Sequence, residues 1–387
     1  MSHSDWLSHA LPVVEDPLPG AVDKSGPRMP KRVCCIVIGN HASFVGIIEM
    51  VHALHSYFSR HFTILVSQSL MPGAINVLID EFSQPYLIEM MRNVRAADSA
   101  TRFVILATEF VTRMAPLGLQ LGNTFNYFDT ADDYRTLLRN LGYRLGLRRT
   151  LPYFEARYRG FVAALPVADL LLCAHPAIVS TIALLPDAVR HAAPAPLTLY
   201  PEIDVARVAT DPRLTLRPPG VVMTGTLTHF RRRIARELVK TFRRAQISGD
   251  FYLHRPFDPS NGIRFGERGV DLGYTRDSAT VASTPGAYLY NLNPPQRPSW
   301  GYSSPMRLQR AILLGQIPLI THRFHDHPIE EVAQTWDGDV QTAEKLWVEA
   351  SATRPMLIAR HIAAVTRYDA VARERNTAID AALAKIE

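Results

Sequence analysis

The residues around position 305 combine hydroxyl groups, a helix start and positive charge. Ser303 and Ser304 precede Pro305, and proline favours the first turn of a helix because its missing N–H would be unpaired there. Free backbone N–H groups and the helix dipole attract negative charge at such a start. Arg307 and Arg310 fall in the first turns and can add charge-assisted hydrogen bonds. The segment predicts a diphosphate site, and it also fits serines that only cap a helix.

A second run of small residues suits the same ligand. Residues 220–223 are apolar and predict a buried strand, and Thr224, Gly225 and Thr226 follow it as a turn. Glycine lets backbone N–H groups approach a phosphate closely. Residues 231–233 are three arginines. At least one can face the ligand, although each also fits a solvated helix face.

Candidate bases and sugar contacts follow other predicted strands, where ligands bind in open α/β sheets. Glu109 follows the strand over residues 103–107. It is a candidate base, an acceptor hydrogen-bond partner, or a carboxylate placed at a helix start by the dipole. His254 and Arg255 follow the strand over residues 251–253 and are candidate phosphate or sugar contacts.

His41 lies in a turn, two residues after Gly39. Its near-neutral pKa suits a general base. The alternative is a turn histidine that bonds its own backbone.

Two other groups suggest a metal but do not fit one. Residues 322–327 contain three histidines and an aspartate, in a spacing that matches no closed zinc signature. Asp337 and Asp339 form an Asp-x-Asp pattern, but in a polar turn between late helices. We therefore predict no metal site.

Strands and helices must alternate to position these residues. Apolar runs rich in β-branched residues predict strands buried on both faces, and the spacing of apolar residues predicts the helices between them. Residues 186–219 are rich in proline and alanine and predict a linker between two series. The first series is predicted as strands over 32–39, 62–66, 103–107 and 165–173, with helices over 44–58, 74–93, 129–146 and 152–165. The second is predicted as strands over 220–223, 251–253, 270–274, 287–292 and 317–320, with helices after 226, from 305 to 315 and from 343 onward.

Length and composition are those of a globular protein with more than one core. The chain has 387 residues, of which 47% are hydrophobic and 20% charged. It has no apolar run of membrane-spanning length and no signal-peptide core, which predicts a cytoplasmic protein. Cys34, Cys35 and Cys173 lie in apolar runs and are predicted to be reduced core residues.

The two predicted series of alternating strands and helices, joined by the proline-rich segment 186–219, resemble glycosyltransferases of the GT-B architecture. The resemblance covers most of residues 32–387, and residues 300–328, with Gly315 between helix and strand, resemble the donor-binding segment. It implies an α/β fold of two doubly wound Rossmann-like domains facing across a cleft, with a C-terminal helical segment. The predicted divisions are an arm over 1–30, an acceptor domain over 31–200, a donor domain over 201–340, and helices over 341–387 that pack back on the first domain.

The resemblance also implies an activity and roles for residues. The protein would be a metal-independent bacterial glycosyltransferase without a tightly bound cofactor, and a UDP-sugar is the first choice of donor. His41 would be the base of an inverting reaction, and Tyr274 would hold the nucleobase. The acidic residue that many retaining members carry near this helix start is missing, since Arg307, Gln309 and Arg310 occupy the region.

Alternatives and partners follow from the same features. A nucleotide-sugar epimerase would use the same cleft, and a degenerate transferase-like scaffold would explain the missing acidic residue. The expected acceptor is a glycan, a lipid or a peptide. The net charge of +6 suits an anionic ligand or peripheral association with the inner membrane surface, although arginine-rich usage also fits a GC-rich genome. Nucleic acid is excluded as a partner, because no basic run is interleaved with aromatic residues.

Overall fold

The computed structural model describes most of the two predicted series. The described residues are 32–38, 44–79, 86–114, 118–122, 153–226, 229–245, 248–255, 258–265, 271–275, 288–295, 303–324 and 327–386, together with 82, 84, 138, 141–142 and 145–147.

The first sheet has six parallel strands in the order β2-β1-β3-β4-β7-β8. Its inner strands are short, apolar and buried, as a parallel sheet covered on both faces requires. The strands are β1 (Val33–Val37), β2 (Thr63–Ser67), β3 (Ile75–Leu78), β4 (Arg102–Ala107), β7 (Leu170–Cys173) and β8 (Pro196–Thr198), and a separate hairpin is formed by β5 (Phe110–Met114) and β6 (Gly118–Gly122).

Helices cover the faces of this sheet. Their apolar residues join the strands in one core that includes Phe58, Phe103 and Phe161. The helices are α1 (Phe44–Phe58), α2 (Leu87–Ala97), α3 (Tyr153–Ala164), α4 (Pro176–Ile182) and α5 (Asp187–Ala192).

The second sheet has seven strands in the order β12-β11-β10-β9-β13-β14-β15. It is parallel except for β11, which is antiparallel to both of its neighbours. The strands are β9 (Val221–Thr226), β10 (Gly249–Arg255), β11 (Asp258–Phe265), β12 (Asp271–Thr275), β13 (Tyr290–Leu292), β14 (Ile317–Ile320) and β15 (Gln334–Thr335).

A second core lies against this sheet, around Tyr290, Leu308 and Trp336. Two short helices precede the sheet, two lie within its series and two close the chain. They are α6 (Val205–Ala209), α7 (Arg213–Leu216), α8 (His229–Ala245), α9 (Pro305–Leu313), α10 (Val340–Ser351) and α11 (Arg354–Ile386).

The last helix, α11, returns to the first domain. Asp380 Oδ1 accepts a hydrogen bond from Tyr57 Oη at 2.5 Å, and the carbonyl of Ile386 accepts from Arg32 Nη1 and Arg102 Nε at 3.1 and 3.0 Å. The C-terminal helix thus ties the two sheets together at the end of the chain.

Glu202, in the crossing between the sheets, is also tied to both parts. Its carboxylate lies 2.9 Å from Arg60 Nη1 of the first domain and accepts from Asn376 Nδ2 of α11 at 3.0 Å. The crossing is therefore held by buried polar contacts and is not a loose linker.

Two predicted elements are wrong. The helix predicted over 74–93 is a buried strand, β3, followed by α2. Four apolar residues in a row fit either element by periodicity, and pairing between β1 and β4 decides for the strand. The turn predicted at residues 224–226 is the end of β9, because pairing with β10 continues to Thr226. The helix predicted over 129–146 lies mostly outside the described residues.

Candidate active site

The second sheet reverses its strand order at β9. β10 extends the sheet on one side of β9 and β13 extends it on the other, which is the kind of switch point where α/β proteins bind ligands. Thr224 lies near the carboxyl end of β9, and Asn293 directly follows β13. This edge is therefore where the sheet itself places a ligand.

Helix α9 begins beside this edge with hydroxyl groups that do not cap it. The side chain of Ser304, the residue before Pro305, makes no capping hydrogen bond. Ser303 is 2% exposed, and its Oγ has no hydrogen-bond partner within the described residues. A buried hydroxyl without a partner is costly, so the serine pair favours the anion-binding interpretation over simple capping.

The backbone of Ser303 is held by a buried acid. Glu330 is fully buried and accepts from the N–H of Ser303 at 3.4 Å and from the N–H of Phe324 at 2.7 Å. These contacts fix the loop that presents the Ser303 hydroxyl. At the other end of the helix, Gly315 has a φ of 66°, a left-handed conformation that turns the chain into β14.

Two arginines face one carboxylate across the domains, and a third arginine is buried nearby. Arg307 Nε lies 3.6 Å from Glu49 Oε2, and Arg310 Nη1 lies 3.4 Å from Glu49 Oε1. Both arginines belong to α9, whereas Glu49 belongs to α1 of the first domain. The third, Arg231 of α8, is 1% exposed and donates to the carbonyl of Pro294 at 3.2 Å.

The surroundings of Arg231 shift its pKa strongly. Burial and the positive charge of Arg307 lower the pKa of Arg231 well below its usual value, and the carboxylate of Glu49 opposes that shift. Guanidinium groups beside a cavity are suited to an anion, because they can donate charge-assisted hydrogen bonds to it.

Buried amides form the floor beside the arginines. Asn291 Nδ2 donates to Gln316 Oε1 at 2.8 Å, and Asn293 Nδ2 donates to Asn291 Oδ1 at 3.1 Å. Gln316 Nε2 donates in turn to the carbonyl of Tyr288 at 3.0 Å. This chain of hydrogen bonds fixes the amide orientations at the carboxyl end of β13.

Several of these groups border one cavity, whose free volume of about 10 Å³ has room for roughly one water molecule. Its wall is polar on the side of the arginines and amides. The lining residues are Glu49, Thr224, Asn291, Asn293, Arg307, Arg310, Ala311, Leu314 and Gln316.

Glu109 lies in a different environment. It is 8% exposed after β4, and Arg157 Nη1 of α3 lies 2.7 Å from its Oε1. Burial lowers the pKa of Arg157 to about 9. This ion pair occupies one of the two carboxylate oxygens of Glu109. A catalytic role for Glu109 stays a prediction.

The remaining predicted contacts spread along the edge of the second sheet. Gly225 and Thr226 end β9, and His254, the partner of Thr226 in the register, is followed by Arg255 at the end of β10. Tyr274 lies on β12, three strands away from β9. Thr224, Arg307 and Arg310 line the cavity, Ser303 and Ser304 begin the helix that bears the two arginines, and His41 lies outside the described residues.

One residue of each apparent metal motif has a structural role. Asp339 Oδ1 accepts from the N–H of Thr342 at 2.5 Å and caps α10. His327 is buried, and its Nδ1 accepts from the N–H of Ile329 at 3.2 Å. Across the part of the chain that the structure describes, no group of three or more histidine, cysteine or acidic residues could hold a metal ion.

Glu49 and Gln316 are among the cavity residues that sequence reasoning missed. Glu49 is the one acidic residue of α1, a helix that is otherwise mostly apolar, and an isolated charge of this kind is a usable signal. Gln316 directly precedes β14, where a polar residue before an apolar strand is too common to stand out. Neither position shows from sequence alone which domain faces it.

Comparison with known proteins was made on sequence and on structure. Neither a protein-family model nor a curated protein matches the chain. An α-glucosyltransferase solved with UDP and a 13-mer DNA is similar over 88% of this chain and 96% of its own, with a TM-score of 0.41 and 11% identity. A putative UDP-N-acetylglucosamine 2-epimerase from Listeria monocytogenes is similar over 93% and 97%, with a TM-score of 0.41 and 11% identity.

A third similar structure is a trehalose-6-phosphate protein from E. coli bound with UDP-2-fluoro glucose. The match covers 87% of this chain and 76% of that one, with a TM-score of 0.39 and 11% identity. At this degree of likeness, residue roles are not transferable. The fold follows from the chain's own two sheets, the cleft between them and the returning helix α11. This is the GT-B arrangement.

The expectation about nucleic acid is wrong. The exclusion rested on the lack of a basic run interleaved with aromatic residues, yet the similar α-glucosyltransferase was solved with DNA. Absence of that pattern therefore does not exclude nucleic acid for a chain of this architecture.

As for membranes, none of the described helices has the length and apolar character needed to cross a bilayer.

Proposed function

We propose that this protein is a glycosyltransferase that takes a sugar from a nucleotide-sugar donor, with a UDP-sugar as the first choice. The single observation that carries the proposal is the convergence of Arg231, Arg307 and Arg310 beside the hydroxyl-headed start of α9, at the switch point of the second sheet. A diphosphate needs such a concentration of donors and positive charge.

The same groups account for the chemistry of the leaving group. When the bond between sugar and diphosphate breaks, negative charge develops on the departing phosphate oxygen. Guanidinium groups that are already in place stabilise that charge without reorganisation. We therefore expect a metal-independent reaction in which chelators leave turnover unchanged.

The first domain would present the acceptor across the cleft. His41 is the proposed base if the reaction inverts the anomeric centre, because it comes soon after β1 in the sequence. Glu109 is the second candidate. The nature of the acceptor, a cytoplasmic location, a bacterial source and contact with a membrane surface remain predictions from sequence.

A nucleotide-sugar epimerase remains the alternative, and Glu49 is the observation that favours it. An acidic residue does lie at the cavity, as proton abstraction from the sugar would require. However, both of its oxygens face arginines and are therefore engaged in ion pairs. A transferase is therefore the better-supported function.

Thermal unfolding with nucleotides tests the proposal directly. A ligand that binds only the folded state must raise the melting temperature, so UDP, GDP, CMP and dTDP are compared at equal concentration. We expect one of them to raise it, and the matching nucleotide-sugar to release that nucleotide when an acceptor is added. No response to any of the four would refute the donor site, and binding without turnover would indicate a scaffold.

A further inference from the structure

The two ion pairs of Glu49 join the two domains at the mouth of the cavity. Helix α1 brings the carboxylate from the first domain, and α9 brings Arg307 and Arg310 from the second. Their side chains are 10%, 16% and 17% exposed, so solvent screens these pairs only in part. Such pairs resist separation more than exposed surface pairs do.

The carboxylate uses the groups that a diphosphate would need. One oxygen of Glu49 faces Arg307 Nε and the other faces Arg310 Nη1. Among the residues that line the described cavity, Glu49 is the one acidic side chain. An entering phosphate oxygen would compete with this carboxylate for the same N–H groups and would also be repelled by its charge.

The space at the site points the same way. The free volume there is about 10 Å³, room for roughly one water molecule, whereas sites for small-molecule ligands span roughly 300–1,000 Å³. Entry of a nucleotide-sugar therefore requires Glu49 and the two arginines to move apart, and the Glu49 pairs oppose that movement.

We infer that Glu49 is both a latch between the domains and a competitor of the donor: its carboxylate pairs with Arg307 and Arg310, and a diphosphate binds to these arginines only by displacing it. This inference rests on the proposed function for the identity of the donor. It adds that one side chain lowers the affinity of the site for the donor. Displacement of Glu49 then also releases α1 of the first domain from α9 of the second.

The test compares Glu49→Gln with the wild-type protein by calorimetric titration of UDP and of inorganic pyrophosphate. Glutamine keeps the size and an acceptor oxygen but removes the charge. We expect the affinity for both ligands to rise on the order of tenfold or more. Glu49→Asp withdraws the carboxylate by one methylene group and should give a smaller rise in affinity. It replaces Glu49→Gln in the test if that variant unfolds.

Glu237→Gln is the matched control. It removes the same charge from α8, where Glu237 is exposed and pairs with Lys240 at 3.4 Å. Any gain from net charge alone would appear in this control as well. An equal or weaker affinity of Glu49→Gln for pyrophosphate would overturn the inference, and so would an equal gain in the control.

Closure is measured separately by the distance between labels on the two domains. Glu89→Cys on α2 and Lys345→Cys on α10 are exposed positions, and the three native cysteines are buried. Without ligand, Glu49→Gln should widen this distance relative to the wild type, and an unchanged distance would overturn the latch.

If pyrophosphate binds as expected but no nucleotide does, the proposed function fails while the latch stands. If pyrophosphate binds neither protein, the arginines are not an anion site and the inference fails.

Discussion

Arg157 and Glu109 form a buried ion pair, with 2.7 Å between Nη1 and Oε1. Their side chains are 4% and 9% exposed, and breaking such a pair leaves an uncompensated buried charge. The predicted catalytic base is thus also a structural partner, and its two roles must be separated by experiment.

Glu109→Gln should lower the free energy of unfolding by about 3 kcal/mol, because Arg157 loses this buried ion pair. The double variant Glu109→Gln/Arg157→Met should recover most of that loss in urea unfolding. If Glu109 is only structural, transfer activity recovers as well. A stable double variant whose turnover stays down about a hundredfold or more would identify Glu109 as the base.

Arg307→Ala should reduce kcat/KM by about 10²–10³ while the protein stays folded. Arg307 is partly exposed in the cavity wall, so its loss leaves no packing defect. Release of UDP from the donor is the measurement. Arg236→Ala, on the exposed face of α8, is the control and should behave like the wild type. Unchanged turnover in Arg307→Ala would remove that residue from the mechanism.

Ser303→Ala separates ligand binding from stability. The buried Oγ has no partner within the described residues, so its removal should leave the melting temperature unchanged or slightly higher. A hydrogen bond to a charged phosphate contributes about 1.5–3 kcal/mol, which predicts roughly ten- to a hundredfold weaker binding of UDP in titration calorimetry. Equal affinity of the two proteins would show that the hydroxyl does not contact the ligand.

His41→Ala tests the proposed base of the first domain. The variant should bind UDP with unchanged affinity but lose about 10²–10⁴ in turnover, because proton transfer from the acceptor is no longer assisted. Single-turnover kinetics with the donor would measure the chemical step itself. Near wild-type turnover would reject the assignment.

Stability should fall at acidic pH because of two buried histidines that meet between the domains. The rings of His175 and His327 lie 5.5 Å apart, and the rings of Tyr200 and Tyr368 also lie beside His327. Burial lowers the pKa of His175 to about 4 and that of His327 well below its usual value, with the charges of His175 and Arg375 adding to the second shift.

The direction in which stability changes with pH follows from proton uptake. Between the unfolded pKa of about 6.5 and the lowered folded values, the unfolded chain binds more protons. Stability is therefore full above pH 6.5 and falls as the pH decreases toward 4. Urea unfolding at pH 8, 6.5 and 5 measures the slope. His175 Nδ1 accepts a hydrogen bond from the N–H of Ala177 at 3.0 Å. His175→Asn keeps an acceptor at this place and should reduce the dependence of stability on pH. An unchanged slope would contradict this origin.

Several features of the protein follow from its sequence alone. The strands β1, β7 and β14 are continuous apolar runs, and such runs are stable only when both faces are covered. The start of α9 at Pro305 and its stop before Gly315 follow from local backbone preferences. These local rules also place Ser303, Ser304, Arg307 and Arg310 at a helix start.

Other features depend on contacts that no local pattern contains. Ile75–Leu78 is a strand because β1 and β4 pair with it, although its four apolar residues fit a helix equally well. The burial of Arg231 depends on how α8 packs beside α9. The meeting of Glu49 with Arg310 joins residues 261 positions apart, and that of His175 with His327 also spans the two domains. Side-chain periodicity acts over a few residues, so it determines the strands and helices, whereas the packing of one domain on the other decides which charges meet in the cleft.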